Sequence, residues 1–173
     1  MMKKSVLLNK DFWNNRYIES KTGWDVGVIT TPLKEYFDQL NDKKIKILIP
    51  GCGNSYEAEY LFENKFINTY LVDYSEQALN NFSKRVPGFS KSKLLSNDFF
   101  NVQGKFDLII EQTFFCAIDK SRRSDYFVKM NDLLNPNGKL VGLLFNDSLN
   151  ENHPPFGGSK SEYKEYFEAY FNT

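Results

Sequence analysis

The chain has 173 residues, and its 22 lysines and arginines balance 22 aspartates and glutamates, so the formal net charge is zero at pH 7. A domain that binds the phosphates of a nucleic acid carries an excess of basic residues, which this composition lacks. With 41% hydrophobic and 16% aromatic residues, the chain is also too apolar for a disordered protein. We expect a single domain over residues 1–173, with 1–40 as an aromatic-rich N-terminal cap and 41–173 as an α/β core.

The first forty residues stand apart because aromatic side chains are frequent in them. Their pattern predicts a helix over Asp11–Glu19, a turn at Gly23-Trp24-Asp25 and a second helix over Pro32–Leu40. An aromatic segment ahead of the first strand is well placed to cover the carboxyl edge of a sheet, where such folds bind ligands.

Beyond residue 44, short apolar runs alternate with helical patterns. The apolar runs predict strands at Ile45–Ile49, Thr69–Val72, Lys93–Ser96, Phe106–Ile110 and Lys139–Phe145. The helical patterns lie at Glu57–Asn64, at a segment capped by Ser75 and closed near Pro87, at Ser124–Leu134 and at Ser159–Phe171, with a compact turn at Asn135–Gly138. Because strands that are apolar on both faces occur in parallel sheets covered by helices, the sequence predicts an α/β doubly wound, Rossmann-like sheet.

The sequence has two cysteines, one histidine and short apolar runs, and this pattern predicts a reduced, cytoplasmic protein. Cys52 and Cys116 cannot form a disulfide framework, and His153 makes no zinc site with them at any standard spacing. Met1–Lys10 contains only the apolar run Val6–Leu8, which is shorter than a signal-peptide core. No stretch approaches the roughly 18 apolar residues of a membrane span. We therefore expect no metal, no nucleic-acid partner and no membrane partner.

Two glycines and two acids mark the predicted ligand site. Gly51-Cys52-Gly53 follows the first strand, and Asp73 ends the second strand 22 residues after Gly51. Glycine lets the backbone approach a ligand, and an acid at this distance accepts hydrogen bonds from ribose hydroxyls. Tyr56 occupies the place of the third glycine of a dinucleotide fingerprint, which favours a nucleoside without a pyrophosphate, such as S-adenosylmethionine. Asp98 would then accept a hydrogen bond from the adenine amino group, beside Phe99.

Seven motifs together resemble one family. They are Phe12-Trp13 with Tyr17 and Trp24-Asp25-Val26-Gly27, Ile49-Pro50-Gly51-Cys52-Gly53, Leu71-Val72-Asp73-Tyr74-Ser75, Asn97-Asp98-Phe99-Phe100, Phe114-Phe115-Cys116-Ala117-Ile118, Leu134-Asn135-Pro136-Asn137-Gly138 and Pro154-Pro155-Phe156. The chain from Asp11 to Phe156 thereby resembles the thiopurine S-methyltransferase family of class I S-adenosylmethionine-dependent methyltransferases, and within it the branch of plant thiol and halide methyltransferases.

The resemblance implies S-adenosylmethionine as cofactor, S-adenosylhomocysteine as product and a small-molecule methyl acceptor. The cofactor contacts that it implies are Trp13, Tyr17, Trp24, Gly51, Asp73, Asp98, Phe99 and the residues that end the fourth strand, Glu111 and Gln112. To these we add Gly53 and Tyr74 from the same motifs. We place Phe115, Cys116 and Phe156 in the acceptor pocket, although the apolar surroundings of Cys116 favour a small buried hydrophobe over a nucleophile.

Two departures from the family bear on the acceptor. Glu111-Gln112 stands where the thiopurine enzymes carry Asp-Arg, and the arginine is associated with their substrate. This favours a small soft nucleophile, namely a thiol, hydrosulfide or halide, over a thiopurine. Tyr17 stands where the thiol and halide branch commonly has tryptophan, which keeps an aromatic wall beside the sulfonium.

Methyl transfer from a sulfonium to such a nucleophile is an in-line displacement that needs no general base, so we assign no catalytic residue. Arg122 and Arg123 open a helix, and we expect both to face solvent, where either could steer an anion. Two alternatives stay open on the sequence: a cofactor-binding domain without turnover, and a nicotinamide-dependent oxidoreductase on the same fold.

The predicted fifth strand raises a separate question. Class I methyltransferases ordinarily add two further strands beside it, and this sequence shows only the pattern of one more helix. We expect a monomer whose fifth strand is an open edge, which either a partner or a segment present in longer relatives would cover.

Overall fold

The structure is a computed structural model that describes residues 7–171. The prediction that no signal peptide is present concerns Met1–Lys10, most of which lies outside these residues. The described part contains six α-helices and five strands: α1 Lys10–Ile18, α2 Thr31–Asp38, β1 Ile47–Pro50, α3 Tyr56–Glu63, β2 Thr69–Asp73, α4 Glu76–Arg85, β3 Leu94–Ser96, β4 Phe106–Gln112, α5 Arg123–Leu133, β5 Leu134–Leu143 and α6 Lys160–Tyr170.

The five strands form one parallel sheet in the order β3-β2-β1-β4-β5. The strand order reverses between β1 and β4, where Ile47 pairs with Thr69 on one side and with Leu108 on the other. A crevice opens at such a switch point, outside the carboxyl ends of the strands. The predicted α/β doubly wound fold is therefore confirmed, and the crevice expected at its switch point lies where β1, β2 and β4 end.

The core has two halves because successive strand residues point to opposite faces of the sheet. Ile47 and Ile49 of β1 belong to a cluster with Phe37, Leu61 and Phe82, which come from α2, α3 and α4. Leu48, one residue away, belongs to the other cluster. That cluster includes Phe127 and Met130 of α5, Tyr163 of α6 and Ile109 of β4.

One asparagine ties the first helix of the N-terminal segment to the start of α4. Asn14 of α1 accepts hydrogen bonds from the Ser75 hydroxyl and from the Gln77 backbone N–H, each 3.0 Å long, at the N-terminus of α4. Ser75 is the predicted cap of α4, and its hydroxyl accepts from the Ala78 N–H at 3.1 Å. The aromatic N-terminal segment over residues 7–40, which we call the leader, thus lies at the carboxyl edge of the sheet, as its position in the sequence predicts.

The fifth strand differs from its prediction in extent and in burial. The strand begins at Leu134, and the ladder pairs Phe106 with Leu134 and then Leu108 with Lys139, so residues 135–138 form an irregularity within the strand instead of a turn before it. The strand ends at Leu143 and is not doubly buried, because β5 lies at the edge of the sheet. Leu143 and the following Phe145 are 39% and 44% exposed. The predicted open edge is present, and what covers it stays a prediction.

Within residues 7–171, no helix has both the length and the apolar character needed to cross a bilayer.

Gly142 permits the close approach of β5 to β4, because a Cβ at this position would overlap the Glu111 carbonyl oxygen. We expect Gly142→Ala to lower the free energy of unfolding by about 1–3 kcal/mol through overpacking. Urea denaturation measures the change. Gly23→Ala is the matched control, since no atom lies within 4 Å of its added Cβ. Equal stabilities of the two variants would contradict this reading of the β4–β5 contact.

Candidate functional site

A cavity of about 530 Å³ opens at the carboxyl ends of the strands. Its walls come from the leader, from the turns after β1, β2, β3 and β4, and from the loop after β5. A second cavity of about 60 Å³ adjoins it behind Tyr17 and Trp24. The predicted site residues that line the larger cavity are Trp13, Tyr17, Trp24, Gly51, Asp73, Tyr74, Asp98, Phe99 and Cys116. Gly53 and Gln112 line the smaller one.

The turn after β1 requires both of its glycines. Gly51 and Gly53 adopt left-handed φ values of 55° and 53°, which glycine takes without strain. A Cβ at Gly53 would lie 2.5 Å from the Tyr17 hydroxyl, and one at Gly51 would overlap the ring of Phe114. The glycines therefore let the leader and the turn after β4 close onto this turn from two sides.

Asp73 is almost fully buried and joins two turns. One carboxylate oxygen accepts from the Gly53 N–H at 2.8 Å, and the other accepts from the Ser75 N–H at 2.7 Å. Burial raises the pKa of this carboxyl to about 6, against the two backbone hydrogen bonds, which lower it. Each oxygen keeps a lone pair for a ligand in the larger cavity.

Asp98 and Phe99 follow β3 and line the larger cavity. Asp98 caps a 3₁₀ turn over Phe99–Asn101 by accepting from the Phe100 N–H at 2.9 Å. Burial, and then the hydrogen bond to Asp98, raise the pKa of Tyr74 to about 12, so its hydroxyl stays protonated at neutral pH. The Phe99 ring packs edge-on to Phe114, with 5.2 Å between centroids.

The leader contributes an aromatic wall. Trp24 packs edge-on to Trp13 and to Tyr17, with ring centroids 5.8 and 6.0 Å apart. Burial, followed by the charge of Asp73, raises the pKa of Tyr17 far above its usual value, so the phenol remains neutral. Trp24 is 38% exposed, and the wall therefore separates the cavity from solvent.

Glu111 is the penultimate residue of β4 and lines neither cavity. One carboxylate oxygen accepts from the N–H groups of Phe114 and Phe115, both at 2.9 Å, and the other accepts from the Tyr126 hydroxyl at 2.7 Å. Burial raises the pKa of this carboxyl to about 7, although the hydrogen bonds lower it. The structure thus engages Glu111 in holding the turn after β4, while its predicted cofactor contact remains a prediction.

The neighbouring residue, Gln112, is oriented by the leader. Its side-chain oxygen accepts from the Thr30 hydroxyl at 2.8 Å, which leaves its amide N–H groups as donors beside the smaller cavity.

The predicted acceptor residues take different positions. Cys116 lines the larger cavity, donates its S–H to the Thr113 carbonyl at 3.2 Å and has its pKa raised to about 12 by burial, which makes it a poor nucleophile. Phe115 and Phe156 are buried beside the cavity without lining it. Pro154 and Pro155, whose motif the sequence identifies but whose side chains it does not single out, line the cavity instead.

The expectation that Arg123 faces solvent is wrong. Arg123 is 2% exposed, and it donates to Glu162 and to the Gly157 carbonyl at 2.6 and 2.7 Å. Its partners are 34 and 39 residues away in the chain, so no local pattern indicates its burial. Thr113, with a φ of 60°, lines both cavities, and the sequence motifs do not include it. Its position just after β4 is the sequence feature that indicates a place at the site. Within residues 7–171, no three His, Cys, Asp or Glu side chains are grouped so that they could hold a metal ion.

Comparisons with known proteins give a consistent result. A sequence model of the family described as Thiopurine S-methyltransferase (TPMT) matches residues 8–173. Probable thiol methyltransferase 2 of Arabidopsis thaliana is 30% identical over 158 residues, which cover 88% of this chain and 70% of that protein. Thiocyanate methyltransferase 1 of Brassica oleracea is 27% identical over 88% of this chain and 70% of its own length. Thiopurine S-methyltransferase of Vibrio campbellii is 25% identical, with coverages of 94% and 83%.

Solved structures resemble the chain in fold. The 1,6-didemethyltoxoflavin-N1-methyltransferase of Burkholderia thailandensis, crystallised with its substrate and S-adenosylhomocysteine, has a TM-score of 0.77 at 14% identity and covers 92% of this chain and 74% of its own. The magnesium protoporphyrin IX methyltransferase of Synechocystis, with bound S-adenosylmethionine, has a TM-score of 0.74 at 9% identity, with coverages of 97% and 88%.

The buried carboxyl of Glu111 predicts a pH dependence of stability. Its pKa is about 7 in the folded protein, whereas an unfolded glutamate has a pKa of about 4.3. The folded form therefore holds a proton that the unfolded form releases between these values, so this contribution is present below about pH 4.3 and is lost as the pH rises through about 7. In the wild type, this group lowers the free energy of unfolding between pH 5 and pH 8 by at most about 3 kcal/mol. We expect Glu111→Gln to lack this part of the pH dependence.

Urea denaturation at each pH measures this slope. Glu63→Gln, at an exposed position of α3, is the control and should retain the wild-type profile. Superimposable profiles of the wild type and Glu111→Gln would show that Glu111 titrates normally.

Proposed function

The chain belongs to the thiopurine S-methyltransferase family, and from this premise we propose that it methylates a small soft nucleophile with S-adenosylmethionine. The observation that carries the proposal is the position of Asp73. This nearly fully buried acid accepts a hydrogen bond from the Gly53 N–H at the switch point and borders an open cavity. Such an acid, at the end of the second strand, receives ribose hydroxyls in nucleoside-binding α/β folds.

The residues at the switch point fit this cofactor. The backbone at Gly51 and Gly53 leaves space that side chains would fill. Ser55 is 2% exposed and left-handed, and its hydroxyl has no hydrogen-bond partner within the described residues. Ser55 borders the smaller cavity together with Gln112, which has free amide donors. These groups suit the amino-acid tail of the cofactor, and Asp73 suits its ribose.

The residues that follow β3 suit an adenine. Asp98 keeps lone pairs beyond its bond to the Phe100 N–H, and these can accept from an exocyclic amino group. Phe99 and Phe100 border the same space with apolar rings.

When bound, S-adenosylmethionine would supply an activated methyl group on a cationic sulfonium. Transfer of this methyl group to the acceptor leaves a neutral thioether. The chain's own contribution is alignment, desolvation and exclusion of water. Proximity and orientation can lower a barrier by about 7–11 kcal/mol. The rings of Trp13, Tyr17 and Trp24 can add about 0.5–2 kcal/mol through cation–π attraction to the sulfonium. No residue has to remove a proton, because thiolates, hydrosulfide and halides arrive as nucleophiles.

We place the acceptor at an apolar part of the larger cavity. Cys116, Ala117, Pro154 and Pro155 line it, and such a wall strips water from a soft anion and thereby raises its reactivity. Gln112 occupies the position where the thiopurine enzymes carry a substrate-associated arginine. Two of the relatives are named for thiol and thiocyanate methylation, and these acceptors share this soft chemistry.

The cellular setting that we propose is a cytoplasmic monomer. Cys52 and Cys116 are both free thiols, which suits a reducing compartment. A cavity of about 530 Å³ suits a small molecule and its cofactor.

The direct test measures release of S-adenosylhomocysteine from S-adenosylmethionine with iodide, hydrosulfide, an aromatic thiol and a thiopurine as acceptors. We expect turnover with the small thiols or the halide and little with the thiopurine. Asp73→Ala should weaken cofactor binding by roughly 10- to 100-fold, because it removes a charged acceptor from hydroxyl donors. A wild-type protein that binds no S-adenosylhomocysteine in calorimetry would overturn the assignment.

Cofactor affinity should depend on pH through Asp73. Since its pKa is about 6 in the ligand-free protein, the carboxylate that accepts ribose hydroxyls is lost below that pH. We expect the Kd of S-adenosylhomocysteine to be constant above about pH 7 and to rise about tenfold per pH unit below about pH 6. Calorimetric titrations from pH 5 to 8 measure it.

Asp73→Asn should bind weakly at every pH with a flat profile in this range. Asp42→Asn, at an exposed position before β1, is the control and should keep the wild-type dependence. A wild-type profile that is already flat would show that another group sets the affinity.

A further inference from the structure

Arg123 is the only lysine or arginine within residues 7–171 that is buried. Its guanidinium donates through Nη1 to Glu162 Oε1 at 2.6 Å and through Nη2 to the Gly157 carbonyl oxygen at 2.7 Å. Its centre lies 4.7 Å from the centroid of the Phe115 ring. The Nε atom has no partner among the described residues. Burial of a cation is costly unless it is paired, so an apolar residue would serve better if this position only filled space.

The bond to Gly157 places Arg123 directly behind the acceptor wall. Gly157 follows Pro154-Pro155-Phe156, and the two prolines line the larger cavity. The Phe156 N–H donates to the Cys116 carbonyl at 2.7 Å. The loop after β5 is therefore held at two successive residues, by the backbone of Cys116 and by the side chain of Arg123.

A guanidinium suits this place better than an ammonium. Its planar fork reaches a carboxylate of α6 and a backbone carbonyl of the loop at the same time, whereas a lysine presents one compact charge. Arg123 begins α5, and Glu162 lies in the first turn of α6. The fork thereby ties the loop to both helices that cover this face of the sheet.

We infer that Arg123 is a positioning residue for the acceptor. It holds the Pro154-Pro155 wall against the turn that contains Cys116, so that a nucleophile in the cavity lies in line with the methyl group. The inference rests on the proposed methyl transfer. Arg123 does not line the cavity and touches neither cofactor nor acceptor, so its effect is transmitted through the loop.

The test separates acceptor kinetics from cofactor binding. In Arg123→Lys, we expect kcat/KM for the acceptor, at saturating S-adenosylmethionine, to fall about 10- to 100-fold, since small misplacements of reactants have effects of this size. The Kd of S-adenosylhomocysteine should stay within about twofold of the wild type, because the cofactor side is held by other residues.

Two substitutions of Glu162, a half-exposed partner, keep the test independent of whether Arg123→Lys folds. Glu162→Ala removes one anchor of the guanidinium and should lower kcat/KM for the acceptor. Glu162→Gln keeps an oxygen acceptor for Nη1 and should restore most of that loss. Equal losses in Glu162→Ala and Glu162→Gln would overturn the positioning role.

Arg85 is a matched control on the cofactor side. It also bonds one carboxylate, that of Glu59 at 2.6 Å, and one carbonyl, that of Asn54, and it stacks over Tyr56. Asn54 borders the smaller cavity. Arg85→Lys should therefore weaken binding of S-adenosylhomocysteine, with kcat/KM for the acceptor at saturating cofactor preserved. If Arg123→Lys and Arg85→Lys shift the same parameter, the inference is wrong and both arginines serve general stability.

Amide hydrogen exchange supplies a readout that needs no turnover. Arg123→Lys should speed exchange at Phe156 and Gly158, with the amides of β1 and β4 unchanged. Unchanged exchange at Phe156 would overturn the inference whatever the kinetics. A wild-type protein that methylates none of the acceptors would overturn the proposed acceptor class, and exchange would then decide alone whether Arg123 holds the loop.

Discussion

A carboxylate that is removed from water must be satisfied by nearby donors, and this constraint shapes the turns that border the cavity. Asp73 meets it with the N–H groups of Gly53 and Ser75, which joins the turns after β1 and β2. Glu111 meets it with the N–H groups of Phe114 and Phe115, which shapes the turn after β4. In each case a backbone turn is held by an acid in the last two residues of a parallel strand.

The two acids differ in how completely they are satisfied. Asp73 lines the cavity and keeps lone pairs that accept no hydrogen bond from the protein. The second oxygen of Glu111 instead accepts from the Tyr126 hydroxyl, and Glu111 does not line the cavity. Burial raises the pKa of both carboxyls, to about 6 and about 7. The same chemistry therefore leaves Asp73 with acceptor capacity beside the cavity, while Glu111 is used in holding the turn after β4.

The parts that the sequence predicts well are those set by neighbours along the chain. The alternation of strands and helices, the cap at Ser75 and the glycines at 51 and 53 follow from local steric and hydrogen-bonding rules, and the structure contains them. Most of the predicted cofactor residues line a cavity for a related reason, because the carboxyl ends of parallel strands meet at one edge. Their contacts with a cofactor remain proposals.

The sequence by itself determined the fold class and the acids and glycines at the strand ends, since each depends on periodicity or on a strand end, whereas the switch point follows from the strand order. Only the tertiary structure decided which side chains face the cavity. Phe115 and Phe156 turn into the core, Pro154 and Pro155 form the wall, and Arg123 is buried against Glu162. These outcomes depend on contacts between segments more than thirty residues apart, for which no local pattern in the chain carries a signal.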